Sequence, residues 1–392
     1  MRRLTVALFL TAACASPGMP PGGPPDVAAP EILSIVPDSG RTGVSPRAVV
    51  FRFDEVVSER PPSATNIADL FLISPRDGAP RVSWDRDAIA VRPRRAWRSN
   101  TTYTVTMLGG ISDIRGNVRN RGASTFFSTG PTLPRTRITG QLFDWVSGSV
   151  AASAMVESFV APDSSHAWVG VSDSSGRFSL EHVPPGRYLV RGFVDRNRNR
   201  GIDPGEAWDS VSVALTDSSA IELFLFAHDS VAPRIRDLTS VDSVTLRAQF
   251  DRPVDPAQQL SPANFAVVGP DSVAVPIVSA FAPAVDTSAV APAAVAPTAG
   301  VPARPPARSP VGARRDTAVA QVAMSRPRPI TQVVIRLARP LTPGATYRVR
   351  ALGLRGLTGV TGDSERTHVA PAAAPPPAAD TTARPVSPAT PP

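Results

Sequence analysis

Asn100-Thr101-Thr102-Tyr103-Thr104-Val105-Thr106-Met107 puts Tyr103, Val105 and Met107 on one side of an extended chain and three threonines on the other. Successive side chains of a β-strand point to opposite faces, so a period of two with one apolar set marks a strand that covers a core on one side. The period returns at Val49-Val50-Phe51-Arg52-Phe53 and at Val244-Thr245-Leu246-Arg247-Ala248-Gln249-Phe250. Turn formers separate such runs, as at Pro37-Asp38-Ser39-Gly40 and Arg76-Asp77-Gly78; proline presets φ, glycine supplies positive φ, and aspartate bonds its own backbone. Short strands punctuated in this way pack as two sheets face to face, so the expected fold class is all-β.

The 392 residues allow two or three domains, each with its own core. With 44 prolines and only 6% aromatic residues, compact β-modules separated by tethers are expected. The net charge of +8 comes entirely from arginine, since the chain has no lysine. A phosphate-cradling G-x-x-x-x-G-K-[ST] loop is therefore excluded. Arginines and aspartates are mixed along the chain instead of forming a basic stripe with interleaved aromatics, so no nucleic-acid partner is expected. His166, His182, His228 and His368 lie far apart, with no H-E-x-x-H pair and no G-x-S-x-G elbow. No enzyme activity is expected.

The N-terminus has a charged start at Arg2 and Arg3, an apolar run from Leu4 to Leu10, and small residues Thr11-Ala12-Ala13 before Cys14. That run is too short to span a bilayer as a permanent helix. Small residues leading directly into a cysteine resemble a bacterial lipoprotein signal, with Thr11 where that signal usually has leucine. The resemblance implies that residues 1–13 are removed and that the Cys14 thiol is acylated, anchoring the chain to a membrane. Ala15 after the cysteine implies, by the same resemblance, a cell-envelope protein sorted to the outer membrane. Cys14 is the sole cysteine, so no disulfide is available within the chain. Residues 14–28 are mostly proline, glycine and alanine and are expected to form a disordered tether.

Three modules are expected in series. Residues 29–130 carry Ala29-Pro30-Glu31-Ile32, Phe51-Arg52-Phe53-Asp54-Glu55 and Asp113-Ile114-Arg115-Gly116-Asn117, and resemble the SbsA-type bacterial immunoglobulin-like (Ig-like) domain. Residues 137–228 carry Asp173-Ser174-Ser175-Gly176-Arg177-Phe178-Ser179-Leu180 and Val183-Pro184-Pro185-Gly186-Arg187-Tyr188-Leu189-Val190, and resemble the carboxypeptidase regulatory-like, or transthyretin-like, β-sandwich. Residues 231–369 repeat the first module: Ala232-Pro233-Arg234-Ile235 echoes residues 29–32, and Phe250-Asp251-Arg252-Pro253-Val254 echoes residues 53–57. This second SbsA-type domain is interrupted at about 282–329 by an Ala/Pro/Arg-rich tract read as a disordered insertion. Residues 370–392 are expected to be a disordered tail.

One stretch has ligand spacing. Between Asp195 and Glu206, oxygen-bearing side chains fall at Asp195, Asn197, Asn199, Asp203 and Glu206, the spacing by which a twelve-residue loop wraps calcium. Gly201 completes the candidate set, one place later than the usual glycine, whose position holds Arg200. The alternative is a turn whose Asp and Asn side chains bond their own backbone. No cofactor is required beyond possible Ca2+. Trp84, Trp97, Trp145, Trp168 and Trp208 are expected to pack in cores or at edges.

These features describe a non-catalytic envelope protein acting as spacer, scaffold or docking module, with an envelope protein or a glycan as possible partner. Exposed coplanar tryptophans would favour a glycan-binding adhesin. A large exposed apolar patch on the middle module would favour an accessory subunit of an export or receptor complex.

Overall fold

The computed structural model describes residues 25–283 and 325–372. The expected signal peptide, Cys14, most of the tether, residues 284–324 of the insertion and all but the first three residues of the tail lie outside the described residues. Among the described residues no helix is long and apolar enough to cross a membrane. The chain divides into two compact units, residues 1–135 with 163–169, and residues 136–162 with 170–392.

The first unit holds β1 (Ile32–Val36), β2 (Val49–Phe53), β3 (Phe71–Ser74), β4 (Arg81–Asp85), β5 (Ala88–Arg92), β6 (Thr102–Met107), β7 (Ile111–Ser112), β8 (Val118–Arg119) and β9 (Ala123–Ser128). They form sheets ordered β1-β2-β5-β4 and β3-β6-β9, with β7-β8 as a small hairpin. Phe51, Phe53, Ile89 and Val91 from one sheet meet Phe71, Ile73, Tyr103, Val105 and Phe127 from the other in a single buried cluster. The alternation seen in the sequence is therefore the inward face of a sandwich, and Phe51 meets Phe71 edge-on at 5.4 Å.

The middle module comprises β10 (Arg137–Asp144), β11 (Met155–Phe159), β12 (Ala167–Val171), β13 (Arg177–Glu181), β14 (Gly186–Phe193), β15 (Ala207–Leu215) and β16 (Ser218–Ala227). All seven belong to one sheet, ordered β12-β11-β14-β15-β16-β10-β13. The pairing of β15 with β16 is confined to Ala207↔Ala227 and Trp208↔Phe226, so the sheet turns a corner there and folds onto itself. A Cβ on Gly192 in β14 would meet Leu142 of β10 and Leu223 and Leu225 of β16, which places the two halves face to face. β10 runs parallel to β16, from Arg137↔Ser218 to Asp144↔Leu225. Glu157, 1% exposed, is buried in β11 and paired with Arg191 of β14, whose Nε donates to Oε1 at 2.7 Å.

The third module holds β17 (Ile235–Asp242), β18 (Thr245–Val254), β19 (Phe265–Val268), β20 (Ala274–Val275), β21 (Ile277–Phe281), β22 (Ile330–Leu337), β23 (Thr346–Arg355) and β24 (Thr361–Val369). Its sheets, β17-β18-β22-β21 and β20-β19-β23-β24, close over one core that includes Leu246, Phe250, Phe265, Ile335 and Val349. Apart from the edge strand β20 and the β7-β8 hairpin, the topology repeats that of the first module, down to single bonds. The Glu31 N–H donates to Asp54 Oδ1 at 2.7 Å, and the Arg234 N–H to Asp251 Oδ1 at 2.8 Å. The Tyr103 hydroxyl accepts from the Arg98 N–H, and the Tyr347 hydroxyl from the Thr342 N–H, both at 2.8 Å. The inserted tract joins β21 to β22, which pair antiparallel, so it extends a hairpin and leaves the sandwich order intact.

Among the glycines of the middle module, Gly140 sits at the closest strand approach. A Cβ on Gly140 in β10 would lie 2.2 Å from the Ile221 carbonyl oxygen and 2.8 Å from the Phe178 ring. Backbone cannot yield as a side-chain tip can, so Gly140→Ala is expected to cost about 2 kcal/mol. Urea unfolding followed by tryptophan fluorescence checks this, and an unchanged midpoint would refute it.

Candidate functional site

The expected calcium loop connects β14 to β15, and its side chains turn inward on its own backbone. Asp195 accepts from the Asn199 N–H at 3.1 Å and from the Arg200 N–H at 2.9 Å. Glu206, 5% exposed, accepts from the Arg196 N–H at 2.8 Å and the Asp203 N–H at 3.0 Å. Asn197 and Asn199 each donate Nδ2–H to Asp203 Oδ2 at 2.6 Å. Asn197, Asn199 and Asp203 thus converge, while Asp195 and Glu206 cap the two ends. Gly201 contributes an N–H to Asn199 Oδ1 at 2.8 Å. Arg200 has φ 63°, the left-handed conformation for which glycine is the usual residue at that loop position. The loop therefore keeps the bend and replaces the glycine.

Two amide groups stand at Asp203 where a hard cation would stand. A half-turn of both, exchanging nitrogen for oxygen, would offer two amide oxygens and a carboxylate oxygen to one point, at the cost of the bonds that the Asn197 and Asn199 oxygens accept from the Asn199 and Gly201 N–H groups. The residues fit calcium to that extent, and the loop is also fully bonded without an ion.

A second group was not singled out from the sequence. Asp26, Glu55 and Asp113 place one carboxylate oxygen each within 4.8 Å of one another, a set that could hold a metal ion. Asp113, buried at the start of a turn, has its carboxyl pushed up by burial, but hydrogen bonds from Asn117, Arg115 and Gly116 outweigh that and hold it below the ordinary range. Glu55 is pushed up, by burial first and then by the charges of Asp113, Asp26 and Asp54. In the repeat register, Asp26 and Glu55 correspond to Asp229 and Arg252. The matching bridges Val57↔Asp113 and Val254↔Gly356 set Asp113 against Gly356. Arg252 binds Asp229 and Asp251 at 2.6 Å each, so the third module supplies a cation where the first gathers carboxylates. Setting the two repeats side by side would have exposed that charge swap.

Four of the five tryptophans pack against other rings. Trp97 lies edge-on to Tyr103 and Phe127, Trp145 to Phe226, and Trp168 to His166. Trp208 stacks on His228 at 3.9 Å, and Trp84, at 36% the most exposed of the five, donates to the Val57 carbonyl. His228 lies between Trp208 and Phe226, and burial lowers its pKa. His368 meets Ser240 at 2.7 Å across β24 and β17, but among the described residues no carboxylate hydrogen-bonds to His368, so the orienting third group of a triad is missing.

Residues 26–129 match the family model of the bacterial Ig-like domain. The first module is an Ig-like domain. No curated protein matches the chain. Among solved structures, the N-terminal part of the bacterial S-layer protein SbsC is 18% identical, covering 35% of this chain and 24% of that one, with a TM-score of 0.21. BcpA, the major pilin subunit of Bacillus cereus, is 11% identical over 47% of this chain and 66% of that one, TM-score 0.17. An L,D-transpeptidase from Mycobacterium smegmatis is 17% identical over 50% and 76%, TM-score 0.19. The chain spans about a quarter of the SbsC fragment, and none of these likenesses bears on activity.

Within the Ig-like domain, Glu55→Gln is expected to raise stability at neutral pH. Its charged form is disfavoured in the fold, so removing the charge helps wherever the wild-type carboxyl is ionised. The advantage should fade as pH falls through the raised pKa and below the ordinary 4.5, where wild-type Glu55 is protonated too. Thermal melts of chelator-treated protein between pH 7 and pH 3 check this, and a benefit that grows on acidification would refute it.

Proposed function

We propose that this is a non-catalytic, lipid-anchored cell-envelope protein whose β-modules act as spacer, scaffold or docking surface at the outer membrane. The observation that supports it most is a series of sandwiches, the first a bacterial Ig-like domain, with four of the five tryptophans packed against other rings. Such modules offer length and surface. The export-type signal and the lone Cys14 supply the anchor in this reading, and the middle module takes the part of a transthyretin-like spacer. Several acyl chains on one residue would hold the chain with no membrane-binding surface on the folded part, at about 0.8 kcal/mol per buried methylene. Among the described residues no coplanar set of exposed tryptophans supports a glycan platform. Intact-mass measurement of protein from membranes should show a diacylglyceryl-modified Cys14 at the mature N-terminus, and Cys14→Ala should move the chain to the soluble fraction. An unmodified thiol, or unchanged membrane association of the variant, would overturn the anchor.

A second reading assigns weak calcium binding to the loop between Asp195 and Glu206, favoured by the shared acceptor at Asp203. With a dissociation constant of about 10⁻⁴ to 10⁻³ M, calcium at tenfold excess would add about 1.4 kcal/mol of stability. The melting temperature should rise with calcium, and Asp203→Asn should abolish the rise. No shift sinks calcium binding, and a shift lost only in Glu55→Gln would assign the ion to the Ig-like domain instead.

A further inference from the structure

The middle module buries both faces of β16. Leu223 and Leu225 enter the sandwich, while Phe224 and Phe226 point the other way and cluster with Phe143 and Trp145 of β10 and its exit. An outward aromatic face on a sheet needs a cover. Part of it is Leu357 of the third module, packed against the cluster. The rest is Ser325-Arg326-Pro327-Arg328-Pro329, the stretch that enters β22.

This stretch is held as a peptide ligand is held. The Trp145 indole N–H donates to the Pro327 carbonyl at 2.9 Å. The Arg326 guanidinium carbon lies 3.5 Å from the Trp145 ring centroid, in cation–π contact. The Ser325 hydroxyl donates to Glu222. Gly148 leaves the room that Arg328 fills, since a Cβ there would fall 2.5 Å from the guanidinium. Pro329 is buried. Proline fixes its own φ and restricts the residue before it to extended conformations, so Arg-Pro-Arg-Pro reaches the site with little conformational freedom to lose. An aromatic donor meeting the carbonyl of a stiff proline-rich segment, with a flanking arginine on the ring, is a general solution for recognising extended proline peptides. Beside it, an open groove of about 840 Å³ runs over Gln141, Arg177, Phe178, Ile221 and Glu222, with Ser325 at its rim.

We propose that the Trp145 face of the middle module is a docking site for extended arginyl-proline peptides, and that its resident ligand is this chain's own residues 325–329. The segment is tethered through Ile330 to β22, which keeps its effective concentration at the site high and excludes a free peptide of the same chemistry. The third module is thereby latched to the middle one at the outward aromatic face of β16, where Leu357 also packs.

The test uses the full chain and the synthetic peptide Ser-Arg-Pro-Arg-Pro-Ile. In a variant with Arg326→Ala, Pro327→Ala and Arg328→Ala the peptide should bind with a change in tryptophan fluorescence, roughly tenfold or more tighter than to wild type, where the cis segment competes. Adding Trp145→Phe to that variant, which keeps the aromatic bulk and removes the indole N–H, should weaken binding by roughly fivefold or more. A folded triple variant that gives no binding at millimolar peptide, or binding of equal strength with and without the added Trp145→Phe change, would overturn the proposal. Should the triple variant fail to fold, Arg326→Ala alone serves. The Trp145 indole N–H should then exchange with solvent faster than in wild type, and the peptide should restore its protection. Unaltered exchange would count against the site.

Discussion

Each module stands on one constraint: apolar side chains spaced two apart must all leave water on the same side, and only a second sheet can receive them. Phe51 and Phe53 have no use for their positions until Phe71, Tyr103 and Phe127 arrive from the opposite sheet. A one-residue slip in register would turn the entire set to solvent, so the pattern specifies pairing as well as burial. Everything else in the fold is compatible with that demand or subordinate to it. The long insertion between β21 and β22 shows the point, since it lengthens a hairpin without changing which faces meet.

The comparison of the first and third modules separates scaffold from ornament. Both keep the backbone-to-aspartate bond at the first strand and the tyrosine hydroxyl bond, and both keep the same strand order apart from the β7-β8 hairpin of the first and the added edge strand β20 of the third. Charge is free to change on that frame. Asp26 and Glu55 repel, whereas Asp229 and Arg252 attract, yet the sandwich is the same. Arg252 is about one-third exposed, and pairs of that kind contribute about 0–1 kcal/mol. The swap therefore alters what the surface can bind far more than it alters stability.

Strands in the two outer modules were legible because period two is a local signal: Tyr103, Val105 and Met107 declare their face without reference to any partner. The parallel pairing of β10 with β16 was not legible, since Arg137 and Ser218 meet across some eighty residues and nothing in either strand names the other. At the candidate loop Asn197, Asn199 and Asp203 come together while Asp195 and Glu206 bind backbone N–H groups, a division of targets of which the spacing carried no sign. Backbone N–H groups compete with an ion for the same carboxylates, and spacing alone does not decide that competition. Arg200 in a glycine conformation belongs to the same class, because the Asp195 carboxylate holds its N–H at 2.9 Å and the surrounding bonds impose the angle.

The Arg-Pro stretch shows why composition misleads at the end of a biased tract. Residues 325–329 share the Ala/Pro/Arg character of the insertion, and nothing apolar and periodic marks them for burial. What fixes them is a partner module's surplus: β16 is apolar on both faces, with Leu223 and Leu225 inside the sandwich and the aromatic pair Phe224 and Phe226 outside it. An excess of Phe224, Phe226 and Trp145 on one outward face is a demand, and a stiff segment with a cation and a free-standing carbonyl meets it with few degrees of freedom lost. Order in such a stretch is thus set by its receptor, and the place to look for it in a sequence is the strand that is apolar on both sides.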